Sequence, residues 1–147
     1  MLQNILAFRF GNNLFEDIWN NKYIERIDIR TRESIGAEGR GNFYDGIGAL
    51  RDVGQNHLLQ MLSLVTMENP IVLDSTHVRQ KRAELLSSLE KLTASEIKTQ
   101  TYRAQYKGYK NIEGVAANSE TETYFKVITK LNNSRWKGVE ITLEAGK

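Results

Sequence analysis

The stretch Arg40 to Pro70, RGNFYDGIGALRDVGQNHLLQMLSLVTMENP, restricts the possible folds more than any other part of the chain. From Leu58 on, Leu58, Leu59, Met61, Leu62, Leu64, Val65 and Met67 are apolar nearly all round a helical wheel, the pattern of a helix inside a domain. The rest of the chain must then wrap a central helix. Ahead of it, Asp45, Gly48, Asp52 and Asn56 follow one another at steps of three and four, so on a helix they form one polar stripe. If that helix is regular, His57 lies about 140° round and about 7.5 Å along from Asp52. The two would not pair directly, yet both could touch one ligand the size of a sugar. Gly54 weakens a helix interior by roughly 0.5 to 1 kcal/mol relative to alanine and marks a place for a local irregularity. By residue type alone, His57 reads either as a hydrogen-bonded core histidine or as a base.

Outside this block the periodicity predicts strands and a second helix. Tyr23 to Arg32 alternates, with Ile27 and Ile29 on one face and Arg26, Asp28 and Arg30 on the other. Glu33 ends that strand, where it reads either as a surface acid or as a carboxylate placed to receive hydroxyl groups. Asp74 to Thr76 supply caps for a helix over His77 to Leu92, with His77 solvated in its first turn. Ser95 to Gly114 is polar, and its Tyr102, Tyr106 and Tyr109 among Arg103, Lys107 and Lys110 have a texture that could stack on bases. Thr121 to Leu131 and Val139 to Glu144 alternate clearly and are joined by a turn at Asn132 to Gly138, which predicts an antiparallel pair.

Composition removes several classes of function. The 147 residues suit one domain with a real core, and the chain has no cysteine, so disulfides, thiolate metal sites and a cysteine nucleophile are excluded. Twenty Lys+Arg stand against 18 Asp+Glu, a net charge of +2 that is mixed along the chain, so neither nucleic acid nor a membrane surface is expected as a partner. No metal site is expected. No apolar run reaches the roughly 18 to 20 residues of a membrane span. Met1-Leu2-Gln3-Asn4 carries no basic leader, so a cytoplasmic location is expected. The glycines at 36, 39, 41, 46 and 48 do not form a dinucleotide fingerprint.

The central block resembles glucose-6-phosphate dehydrogenases, in the part of their large C-terminal domain that holds the sugar phosphate. Members of that family read approximately RGxYYDxxGAlRDxxQNHLLQ and then MExP. Here the matching residues are Arg40, Gly41, Phe43, Tyr44, Asp45, Gly48, Ala49, Leu50, Arg51, Asp52, Gln55, Asn56, His57, Leu58, Leu59 and Gln60, then Met67, Glu68 and Pro70. The likeness extends to an N-x-x-F-x-P-I-W-N pattern at Asn12, Phe15, Ile18, Trp19 and Asn20, with Asp17 in place of the proline. It continues in an R-G-Q-Y pattern at Arg103, Gln105 and Tyr106, and an S-x-T-x-T pattern at Ser119, Thr121 and Thr123. It closes on Arg135, Trp136, Gly138, Val139, Gly146 and Lys147, with Glu140 in place of a proline.

The resemblance implies an α+β fold, an antiparallel sheet with helices packed on one face and incomplete at both ends. Residues 1–147 would be part of the C-terminal domain, without the N-terminal Rossmann domain that binds most of the NADP. It implies oxidation of glucose 6-phosphate to 6-phosphogluconolactone in the pentose phosphate pathway, with His57 as catalytic base and Glu33, Asp52 and Lys147 as sugar ligands. The aspartate that orients the base belongs to a RIDHYLGKE motif that does not occur here, so the chain alone is expected to be inactive. A homo-oligomer through the sheet is expected for the full-length enzyme. The alternative is a truncated, non-catalytic binding or oligomerisation module.

Overall fold

The two alternating segments near the C-terminus pair as the sequence implies. Strand β3 (Tyr124–Thr129) runs antiparallel to β4 (Glu140–Gly146), with Phe125 opposite Ala145 and Val127 opposite Leu143. The structure, a computed structural model, describes residues 2–11 and 14–147. Asn12 of the N-x-x-F pattern lies outside the described residues.

Strand β1 (Arg26–Arg32) joins the other side of β4 in parallel, Ile29 opposite Leu143, and a short strand β2 (Thr101–Ala104) pairs antiparallel with β3. The order is β1-β4-β3-β2, so the sheet is mixed rather than wholly antiparallel, while the α+β class stands. Parallel strands need a long crossover. Here most of the chain lies between β1 and β4, which is why no local pattern announces their pairing.

Ile27 and Ile29 of β1, Ile141, Leu143 and Ala145 of β4, and Phe125 and Val127 of β3 pack into one core. The central helix covers that face. It winds as a π-helix over Leu50–Leu58 and continues as α3 (Leu59–Thr66), with Leu58 and Leu62 fully buried. Helix α1 (Leu2–Phe10) packs against α3 on one flank, and α4 (Ser75–Ser87) on the other. Asp74 caps α4 by accepting from the amides of Thr76 and His77, and its second oxygen meets His77 Nδ1 at 2.8 Å, so His77 is an exposed capping partner.

The buried C-terminal end of α3 needs donors, because the last carbonyls of a helix have none within it. Four side-chain bonds supply them. Arg9 donates to the carbonyls of Leu64 at 3.0 Å and Met67 at 2.8 Å, Trp19 Nε1 to Val65 at 2.7 Å, and Trp136 Nε1 to Thr66 at 2.7 Å. Trp19 is therefore a packing residue with a second task, and Arg9, in the last turn of an apolar helix, is a structural cation that sequence reading passed over. Glu16 pairs with Arg9 at 2.9 Å and with Arg135 at 3.1 Å, and Arg135 grips Glu68 with both ends of its fork.

The polar stretch from residue 95 is more ordered than its composition implies. It opens with α5 (Ala94–Gln100), started by a capping box between Thr93 and Glu96, before β2. Its tyrosines are used in packing: Tyr102 meets Tyr124 edge-on, and Tyr106 and Tyr109 pack beside helix α2 (Gly41–Tyr44).

Candidate functional site

The site begins where β1 and β4 end. Because the two strands are parallel, they reach the same edge together, and Glu33 donates its amide to the carbonyl of Gly146 at 2.9 Å. Lys147, the residue after β4, is tied through its own amide to the carbonyl of Thr123. Register therefore sets Glu33 beside Lys147, and Lys147 Nζ meets Glu33 Oε2 at 2.5 Å. The Lys147 side chain is 7% exposed and that of Glu33 41%, so a nearly buried cation is paired with a carboxylate still open to solvent.

Asp52 and His57 come from the π-helical segment, and here the regular-helix expectation is corrected. A π-helix bonds each residue to the fifth along. Asp52 and His57, five apart, thus lie closer to one face of the helix than the about 140° of a regular helix. Gly54 sits in this segment, and a Cβ there would lie 2.7 Å from Cζ of Phe125 on β3, so the helix runs against the sheet at a distance only glycine permits. Gly54→Ala is expected to cost about 1 to 3 kcal/mol through overpacking. Urea denaturation reads this directly, and an unchanged midpoint would contradict the close approach.

Asp52 is half-buried and His57 exposed, and among the described residues no hydrogen bond engages either side chain. Asp52, Glu33 and Glu122 all act electrostatically on Tyr44, whose phenol is pushed well above its usual range, first by burial and then by the charges of Glu122 and Asp52. Around Tyr44 the three carboxylates and Lys147, whose ammonium stands over the ring, thus share one neighbourhood.

The start of the helix is fixed by Glu122, whose backbone oxygen accepts from Ala49 N and whose carboxylate accepts from Leu50 N at 3.0 Å. A negative group here also favours the positive end of the helix dipole. Gly48 has φ +76°, and a Cβ on it would lie 2.5 Å from that carboxylate.

Asp45, placed by the sequence in one polar stripe with Asp52, sits in the turn before this helix and serves the fold. It accepts from Tyr109 Oη at 2.8 Å, Ser119 Oγ and Ala116 N, while its backbone oxygen accepts from Thr121 Oγ1. The S-x-T-x-T and R-G-Q-Y patterns thereby gain a physical role. Gln105 donates to the carbonyls of Ser119 and Thr121, and Thr123 Oγ1 accepts from Tyr106 N.

The Ser119 hydrogen bond, with those of Tyr109 and Ala116, holds the Asp45 carboxyl below its ordinary value of 3.8. A depressed carboxyl contributes stability above its unfolded pKa and loses it as pH falls through the folded one. Acidifying from pH 5 to about 3 is expected to lower the wild-type denaturation midpoint. Asp45→Asn should be less stable at pH 7 and show a shallower acid slope; equal slopes would contradict this role.

Among the described residues no group of His, Asp or Glu is arranged to hold a metal, and no helix is long and apolar enough to cross a membrane. Nor do the described residues contain a strand, glycine-rich turn and helix of the dinucleotide-binding kind.

Residues 6–147 match the model of the glucose-6-phosphate dehydrogenase C-terminal domain. The chain is 44% identical, over 99% of its length, to glucose-6-phosphate 1-dehydrogenase of Borreliella burgdorferi, covering 33% of that protein. It is 42% identical over its whole length to the enzyme of Cyberlindnera jadinii, covering 30% of it. The solved glucose-6-phosphate 1-dehydrogenase of Mycobacterium avium superposes with a TM-score of 0.91 at 42% identity, over 99% of this chain and 32% of that one. A glucose-6-phosphate dehydrogenase in complex with its substrate glucose 6-phosphate superposes at 0.88 with 36% identity, over 100% of this chain and 31% of that one. The chain spans about a third of the length of the curated relatives it matches.

Proposed function

We propose, because the chain belongs to the glucose-6-phosphate dehydrogenase family, that it is the sugar-binding part of an enzyme oxidising glucose 6-phosphate to 6-phosphogluconolactone with NADP, the chemistry that feeds the pentose phosphate pathway. The observation that carries this reading is the meeting of Glu33 and Lys147 at the shared end of β1 and β4, with Asp52 near the same tyrosine and His57 one π-turn further on.

His57 takes the proton of the anomeric hydroxyl as the anomeric C–H bond gives up its hydride and the C–O bond becomes the carbonyl of the lactone; NADP, when bound, would accept that hydride. An imidazole is suited to that task at neutral pH. Glu33 and Asp52 accept from sugar hydroxyls, and Lys147 brings a cation to the substrate. NADP is the electron acceptor of the reaction and on this reading is bound mainly by a separate nucleotide-binding domain. The 147-residue chain alone is expected to be inactive.

A cytoplasmic location is supported by the plant relatives named as cytoplasmic enzymes. Self-association through the sheet is part of the same proposal for the full-length enzyme.

The test is a chimera in which this chain replaces the matching segment of the Borreliella burgdorferi enzyme. It is expected to reduce NADP in the presence of glucose 6-phosphate. A chimera that folds with the parent's stability yet shows no turnover would turn the reading towards a non-catalytic module.

A further inference from the structure

Tyr44 has no part in the reaction above, yet it is 1% exposed and its hydroxyl has no hydrogen-bond partner among the described residues. A buried hydroxyl without a partner is destabilising. Hydrogen bonding through the phenol oxygen therefore does not account for the residue, and the ring must.

Lys147 Nζ lies 5.3 Å from the centroid of that ring, within the reach of about 6 Å at which an ammonium is drawn to an aromatic face. The same ammonium meets Glu33 Oε2 and donates to the carbonyl of Ile35 at 3.4 Å. A carboxylate, a carbonyl and an aromatic face thus surround a cation that is almost out of water. The ring is itself held in place: Tyr109 packs on it edge-on at 6.1 Å between centroids, and Tyr109 is anchored through Asp45. Burial, with the charges of Glu122 and Asp52, keeps the phenol neutral, so it offers Lys147 a face and not a phenolate.

We propose that Tyr44 is a positioning residue for Lys147, its ring face fixing the ammonium at the place from which it meets the sugar. This rests on the sugar-site reading for its consequence but not for its geometry, so the two are read separately.

The first readout is the side-chain NMR of Lys147 in the 147-residue chain without ligand. The ring current of Tyr44 shifts the Lys147 ε-methylene upfield. Tyr44→Phe keeps the shift and Tyr44→Leu removes it. A Lys147 shift insensitive to Tyr44→Leu overturns the proposal, whatever the chimera does.

The second readout is steady-state kinetics in the chimera. Tyr44→Leu raises KM for glucose 6-phosphate about five- to tenfold, the size of one lost cation–π contact, with kcat changed less. Phenylalanine at the same position rescues KM, and in a Lys147→Met background Tyr44→Leu adds nothing further. Equal losses for the Phe and Leu variants, or additive effects with Lys147→Met, would assign Tyr44 to packing alone and overturn the proposal. An inactive but folded chimera would count against the sugar site, while the ε-methylene shift would still decide the placement of Lys147.

Discussion

His57→Asn in the chimera is expected to lower kcat for glucose 6-phosphate oxidation by about 10²- to 10⁴-fold, the usual worth of a positioned base, with KM within a few-fold of the parent. Asparagine keeps a polar side chain of similar size but cannot take a proton. On the proposed reading the loss is expected on kcat, because the proton would move only as the hydride leaves, whereas Glu33, Asp52 and Lys147 would bind the sugar in ground and transition states alike. His57 is exposed, and no described residue hydrogen-bonds to it, so its replacement should leave the fold intact. Unchanged thermal stability separates loss of the base from loss of structure. A variant with near-parent turnover would remove His57 from the role.

Arg9→Met is expected to have the largest effect on stability, a loss of about 3 to 5 kcal/mol. Arg9 is 2% exposed and serves three oxygens: the carbonyls of Leu64 and Met67 and the carboxylate of Glu16. Methionine fills similar space, so the cost is electrostatic: the end of α3 loses two donors, and Glu16 keeps only Arg135. Burial pulls the Arg9 guanidinium below its usual range while Glu16 opposes the shift, as expected for a desolvated cation held by its partner. Arg9→Lys keeps a charge but cannot reach all three acceptors and should fall between the two. For a chain of this size that loss corresponds to a drop in Tm of roughly 10 to 16 °C. A change below about 1 kcal/mol, the level of an exposed ion pair, would contradict the clamp.

What the sequence disclosed depended on how local the cause was. The faces of β1, β3 and β4 were legible because a period of two is written into Ile27 and Ile29, Phe125 and Val127, and Ile141 and Leu143. The parallel partnership of β1 with β4 was not, since it joins Arg26 to Glu140 across most of the chain. That pairing is what places Glu33 beside Lys147, so the ion pair at the centre of the site could not be read in advance.

The placement of Asp52 relative to His57 was legible only in part, because a π-helix carries no period of its own in side-chain polarity. Gly54 was the visible sign of irregularity, and it lies in close approach to Phe125. Helix α5 was also signalled, by Thr93 and Glu96 at capping-box spacing, in a stretch whose polarity drew attention away. Arg9 left a fainter trace, one cation in the last turn of a mostly apolar helix seven residues before Glu16.

The most direct test is a crystal structure of the chimera carrying His57→Asn, which stalls turnover, soaked with glucose 6-phosphate. The expected density places the sugar between the ends of β1 and β4 and the π-helical segment. Its hydroxyls should lie within hydrogen-bond distance of Glu33, Asp52 and Lys147, with the anomeric oxygen facing residue 57. Sugar bound elsewhere, or bound here with the anomeric carbon turned away from residue 57, would contradict the assignment of this site and its base.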